Sequence, residues 1–189
     1  MARPRTIPDE VLLDAALAVM ARQGPAGLTF AAVAAVTGLA TATLVQRFGS
    51  KPALLQAALL RAWDQLDART AAADAAAPPT VAGAVELLVA LSVDYAEDAY
   101  AEGLLLLRED LRDPALRVRG ERWGEALAEA LGRRLADARG PRPDLGWLMA
   151  SQWQGALLWW GFAPRQPAGA AARDALRAWC AAIGRPLAE

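Results

Sequence analysis

Residues 28–51 read LTFAAVAAVTGLATATLVQRFGSK, and the fold follows from how their small, aliphatic and turn-forming residues are spaced. Ala34, Gly38 and Leu44 stand at intervals of four and six. That is helix-turn-helix spacing: a small residue where two helices touch, a glycine at the tight turn, an aliphatic anchor on the second helix. Thr29 reads as the N-cap of the first helix, because its hydroxyl can accept from a free backbone N–H. Phe30, Val33, Ala34 and Val36 then form that helix's apolar side. The second helix, Thr41–Arg47, is expected to turn Leu44 and Val45 inward and Thr41, Thr43, Gln46 and Arg47 toward solvent or a partner. At about two turns it is too short to stand alone in water, so it must lean on its neighbours, with Phe48 as a plug beyond its end.

Upstream, Pro8–Gln23 reads as a helix. Pro8 suits its start, Asp9 and Glu10 suit the positive end of its dipole, and Gly24-Pro25 ends it. Val11, Leu12, Ala15, Ala16, Val19 and Met20 recur along it at helical spacing. Downstream, Gly49-Ser50-Lys51-Pro52 reads as a turn, an N-cap and a proline in the first turn of a helix over 52–73. A low-complexity loop, 74–80, is broken by Pro78-Pro79. Thr80 caps a helix expected over 81–98. Leu104–Leu107 are expected in a short buried helix ending near Leu111. Pro114 starts another, 114–139, with Trp123, Leu127, Leu131 and Leu135 as its stripe and a Glu129–Arg133 pair on the wet side. Residues 145–163 and 168–184 give the last two helices. The expected fold class is all-α: a three-helix helix-turn-helix domain over 1–51 and a larger helical domain over 52–189, about nine helices in all.

The ordered series Ile7, Ala15-Ala16, Gly24, Leu28-Thr29, Val33-Ala34, Gly38-Leu39, Thr43-Leu44, Phe48, Ser50-Lys51 and Leu54-Leu55 resembles the N-terminal domain of the TetR family of transcriptional regulators, over about residues 5–58. The rest of the chain resembles that family in pattern only. The resemblance implies a homodimer that binds palindromic double-stranded operator DNA and releases it when a small-molecule effector occupies the C-terminal domain. It further implies that Thr29, Thr43 and Lys51 contact phosphates. Thr41, Ala42 and Thr43 then face bases, and Gln46 and Arg47 reach bases or backbone. Ala31 and Val45 fall at positions where the family often carries a polar group and a tyrosine, and Ala40 replaces the usual serine or threonine cap of the second helix. The working face is therefore small and mostly uncharged. Arg3 and Arg5 read as a basic arm.

Composition bounds the remaining functions. The chain has 189 residues, 55% of them hydrophobic, with 20 basic and 21 acidic side chains and a net charge of −1. It is not a globally basic nucleic-acid coat; residues 1–55 carry a mild excess of +2. With no histidine and one cysteine, Cys180, neither a His-based catalytic group nor an internal disulfide can be assembled. No phosphate-binding glycine loop follows a strand. The chain reads as a non-enzyme with no cofactor and no metal, acting in the reducing cytoplasm.

Seven tryptophans point either to an apolar pocket or to core and subunit interface. The candidate effector contacts are Trp63, Leu88, Leu105, Trp123, Leu127 and Trp153, with Tyr95, Arg108, Gln152 and Gln154 as polar fixtures. The effector expected is hydrophobic or planar, with a cation over an indole face as one form. Residues 145–163 carry no charge. Their length permits a membrane span, but Ser151, Gln152 and Gln154 at mid-segment would need partners in lipid. A helix buried on one side by its own domain and on the other by a second subunit explains the same run, so a homodimer through the last two helices is expected and no membrane contact.

Overall fold

The first helix, α1 (Asp9–Gln23), begins behind Pro8 and ends at Gly24, whose φ of +67° only glycine adopts freely. The computed structural model describes residues 7–92 and 97–185. Nine α-helices and no strand are found among them. A 3-10 turn, Pro25–Gly27, leads into α2 (Phe30–Thr37) and α3 (Thr41–Phe48). The remaining helices are α4 (Lys51–Ala76), α5 (Val81–Ala90), α6 (Glu97–Arg112), α7 (Pro114–Arg134), α8 (Pro143–Phe162) and α9 (Ala168–Ala182). The three caps expected from sequence are in place. Thr29 Oγ1 accepts from Ala32 N at 3.0 Å, Ser50 Oγ from Ala53 N at 3.3 Å, and Thr80 Oγ1 from Gly83 N at 3.1 Å.

The chain packs as two units. One comprises residues up to 65 together with 102–119; the other comprises 66–101 and 120 onward. In the first, Leu12, Ala16, Val19 and Met20 of α1 are buried with Leu28, Val33, Leu44, Leu54, Ala58, Leu59 and Leu116. Polar bonds fix the same contacts at the rim. Asp14 on α1 accepts two bonds from Arg61 and one from Gln65 on α4, at 2.7–3.3 Å. Asp113 accepts from Gln56 and caps the start of α7 through the N–H groups of Ala115 and Leu116.

In the second unit, the stripe Trp123, Leu127, Leu131 and Leu135 is buried as expected, together with Leu87, Leu88, Met149, Trp153, Leu157, Ala172, Leu176 and Cys180. Two buried indoles bond to hydroxyls: Trp123 donates to Thr70 Oγ1 and Trp153 to Ser92 Oγ. The backbones of α7 and α8 approach so closely that a Cβ on Gly146 would stand 2.0 Å from the Ala128 carbonyl oxygen. The buried guanidinium of Arg134 ends α4. It donates to the Asp74 carboxylate and to the carbonyls of Asp74, Ala77, Pro78 and Ala130. The carbonyls of Asp74, Ala77 and Pro78 stand at the C-terminal end of α4, held here by a cation at the negative end of the dipole.

Several expectations are corrected. Val36 and Val45 are 52% and 42% exposed, so only Val33 of α2 and Leu44 of α3 are fully buried there. The helix begun at Thr80 stops at Ala90, before the expected 98, while α4 runs on to Ala76. The helix begun at Pro114 stops at Arg134. Leu104, Leu105, Leu107 and Leu111 lie on a 16-residue helix and are exposed; only Leu106 of that run packs against the core. Arg133 bonds Asp74 at 2.7 Å. The neighbouring Arg134–Asp74 anchor puts that carboxylate within its reach, in place of the expected Glu129 partner. No single described helix is long and apolar enough to cross a membrane. Removing the Arg134 guanidinium would leave the Asp74 carboxylate and the part-buried carbonyls of Asp74, Ala77 and Pro78 without this donor. Arg134→Ala is therefore expected to cost about 2–4 kcal/mol, read as a lower urea midpoint at unchanged slope.

Candidate functional site

The αL glycine Gly38 (φ +71°, ψ 9°) closes α2, and its N–H bonds the Ala34 carbonyl at 2.9 Å. Three residues later α3 begins, turned by 119° from α2. Its cap residue Ala40 has the extended backbone that a cap requires but offers no side-chain acceptor. The free N–H of Thr43 is taken by the Ala40 carbonyl at 3.0 Å. Leu44 is wholly buried, while Thr41, Ala42, Val45 and Gln46 are exposed and Thr43 is half-buried. Thr29 and Ala31 are exposed at the start of α2. The candidate reading face thus consists of one exposed side of an eight-residue helix and the exposed N-terminus of its neighbour.

Two of the cations expected on that face have partners of their own. Arg47 points back to the start of α1, donating to the Ile7 carbonyl at 2.6 Å and to Asp9 at 3.1 Å. It pins α3 to α1 and is only partly exposed. Lys51 donates to the Ala26 carbonyl at 2.9 Å and remains exposed. Val45, expected inward, adds an apolar surface to the reading face. Arg3 and Arg5 lie outside the described residues. Sequence reasoning missed the Arg47 tie because Ile7 is 40 positions away.

The candidate effector contacts are divided between the two units. Trp63, Leu105 and Arg108 are in the first unit; Leu88, Trp123, Leu127, Gln152 and Trp153 are in the second. Tyr95 lies outside the described residues. Leu105 is exposed, and Arg108, also exposed, bonds Glu109. Leu88, Trp123, Leu127 and Trp153 are core residues of their unit. Gln152 is exposed and lines an open groove of about 550 Å³ between α8 and α9, with Gly155, Ala156, Trp159, Trp160, Ala163, Arg165, Gln166, Ala171 and Ala175. Gln154 is also exposed.

A residue not singled out from sequence stands beside Trp63. Asp110 Oδ1 accepts from the Trp63 indole N–H at 3.1 Å. Burial pushes the Asp110 carboxyl up to about 6, against the indole N–H, which favours the ionised form; the charge of nearby Asp113 adds to the rise. Asp113 itself is held below the ordinary range, chiefly by the Gln56 amide. Among the described residues no group of three or more acidic or thiol side chains converges on a metal-sized space.

Residues 12–58 match the family model described as bacterial regulatory proteins, tetR family. No curated protein matches the chain. Solved structures share its fold over most of their length. A TetR-family member from Streptomyces coelicolor A3 is 25% identical, with 89% of this chain and 96% of that one covered and a TM-score of 0.68. A protein described as a transcriptional regulator from Saccharomonospora viridis, in complex with choline, is 20% identical over 90% and 93%, with a TM-score of 0.70. The multidrug binding protein EbrR, complexed with malachite green, is 25% identical over 87% and 93%, with a TM-score of 0.62. The fold is the TetR-like all-α fold, and its N-terminal segment is the tetR-type helix-turn-helix domain.

Two measurements check this geometry. Ala40→Ser supplies the missing cap acceptor and should raise stability by about 0.5–1 kcal/mol, seen as a higher melting temperature. Asp110 binds its proton more tightly folded than unfolded, so its contribution to stability falls as pH rises from about 4 through about 6. Asp110→Asn should therefore match or exceed wild type at pH 7 and lose that advantage near pH 4, followed by denaturation at a series of pH values.

Proposed function

We propose that the protein is a ligand-responsive transcriptional regulator, a repressor that binds palindromic operator DNA as a homodimer. The observation that carries this reading is the exposed face of α3, presented by a helix-turn-helix whose scaffold residues Val33, Gly38 and Leu44 are buried or turned as the motif requires. A short helix exposed on one side and anchored on the other fits the major groove. In this reading Thr41, Ala42, Thr43, Val45 and Gln46 meet base edges, with methyl contacts from Ala42 and Val45 to thymine. Thr29 and Lys51 meet phosphates, Ala31 lies against the backbone, and Arg47 orients α3 through its bonds to Ile7 and Asp9. Residues 1–51 serve the DNA and 52–189 serve effector and partner. The protein works in the cytoplasm and has no catalytic role.

The effector is hydrophobic or planar and carries positive charge. Choline and malachite green, bound by two of the structural neighbours, are cations. Here the half-buried Asp110 carboxylate against the Trp63 indole is the matching chemistry: a cation would stabilise the ionised carboxylate and stack on the ring. The effector and the operator are linked reciprocally, so an effector that loosens DNA binding binds the DNA-bound form less well by the same factor.

Salt titration of DNA binding tests the reading. With Lys51 and the basic arm of Arg3 and Arg5 as the phosphate-contacting cations, roughly 4–6 phosphates are neutralised per dimer, which predicts a slope of log K against log salt of about −4 to −5. Lys51→Ala should weaken binding to all sequences alike, whereas Gln46→Ala or Thr41→Ala should change sequence preference. A flat salt dependence would contradict an operator complex.

A further inference from the structure

The bond that pins α3 also fixes a point on the chain ahead of α1. Arg47, in the last turn of α3, donates from Nη1 to the Ile7 carbonyl at 2.6 Å and to Asp9 Oδ1 at 3.1 Å. Ile7 itself packs against the core of the first unit. The Arg47 side chain is 23% exposed, so the guanidinium is mostly covered by the contacts it makes. The Ile7 carbonyl therefore has a set place, at the end of the helix whose exposed side is the candidate reading face. The same guanidinium meets Asp9, the first carboxylate in the chain, and offsets its charge at that place.

Ahead of Ile7 the sequence carries Arg3 and Arg5 and no acidic residue. Chain geometry alone keeps the backbones of Arg5 and Arg3 within about 7 and 14 Å of Ile7. With α3 in the major groove, the larger radius equals about four base pairs of duplex. It crosses one row of phosphates and enters the minor groove outside the half-site. That groove suits a guanidinium. Its negative potential deepens where A·T pairs narrow it, and arginine keeps its charge there. Basic arms that leave a domain beside its recognition helix use the adjacent minor groove in this way. The need is also specific to this chain. Arg47 is the one cation in α3 and it is occupied, so α3 brings no free guanidinium to the bases.

We propose that Arg47 is a positioning residue for a minor-groove arm: by holding the Ile7 carbonyl at the end of α3, it directs Arg3 and Arg5 into the A·T-rich minor groove flanking each half-site. This rests on the operator reading above and adds a second DNA element to it, a flank that α3 does not touch. The two elements read different things. The small side chains of α3 meet base edges in the major groove, and the arm reads the width and potential of the minor groove, its guanidiniums lying between the two phosphate rows.

The test uses the full chain and duplex from upstream of its own gene. Footprinting places the half-sites, and the base pairs outside them are then made A·T, G·C or I·C. Wild type should bind A·T flanks at least about fivefold more tightly than G·C flanks. It should bind I·C flanks like A·T flanks, because inosine lacks the amino group that guanine places in the minor groove. Arg3→Ala/Arg5→Ala should bring the A·T to G·C ratio to within about twofold and make the salt slope less negative by about 3. Arg47→Met keeps the aliphatic stem and removes the donor. It should lower the flank ratio as far as the arm variant does, and combining the two should lower it no further. Melting temperature serves as the folding control. A loss of α3 orientation alone would instead change preference inside the half-sites and leave the flank ratio standing. Operator binding by wild type that ignores the flanks, or that treats I·C like G·C, would overturn the minor-groove arm while leaving the operator reading intact. A flank preference that survives Arg47→Met would overturn the role of Arg47. Equal affinity for operator and unrelated duplex would overturn the operator reading and the arm with it.

Discussion

An eight-residue helix without a side-chain cap is held in place from three sides, and the function proposed for the chain depends on that restraint. Such a helix is unstable by itself in water. In α3, Leu44 is buried in the core of the first unit, Gly38 sets the angle at which the helix leaves α2, and Arg47 ties its last turn to Ile7 and Asp9. The outer side, from Thr41 to Gln46, is then left free of intramolecular bonds that would compete with DNA. The platform beneath is fixed in turn by Asp14, which Arg61 and Gln65 clamp from α4.

The same economy of contacts explains why the reading face is sparse. Arg47 cannot both pin α3 to α1 and reach a base edge, and Lys51 is bonded to the Ala26 carbonyl. What remains are hydroxyls, one amide and methyl groups. Such a set discriminates less through bidentate pairs than through thymine methyls and the shape of the duplex. Sequence preference would then be distributed over the site, with no single base pair dominating.

The residues that act within their own helix or turn were legible from sequence: the caps Thr29, Ser50 and Thr80, the glycines Gly24 and Gly38, and the apolar stripe of α7. Each depends on neighbours within a few positions. What was not legible depends on partners far along the chain. Periodicity marks Val36 and Val45 as apolar but does not say how far they are covered, and both stay about half exposed. The leucines of α6 read as core by composition, yet three of the run 104–107 face outward. Among the candidate effector residues, Leu88, Trp123, Leu127 and Trp153 fill a core, Gln152 is exposed in the same unit, and Trp63, Leu105 and Arg108 belong to the other unit. Nothing in the sequence singles out Asp110, because its partner, Trp63, is 47 positions away. On α8, lack of charge pointed to cover by its own domain on one side and by a second subunit on the other; within the chain one side is core and the other carries the exposed Trp159 and Phe162.

The central claim is that α3 reads DNA. The most direct test is the affinity of the purified protein for duplex taken from upstream of its own gene, measured at physiological salt against unrelated duplex of equal length. An operator-binding protein should prefer the first by a factor of about 10³ or more. Equal affinity for both would contradict the account, and would leave the helix-turn-helix as a structural unit only.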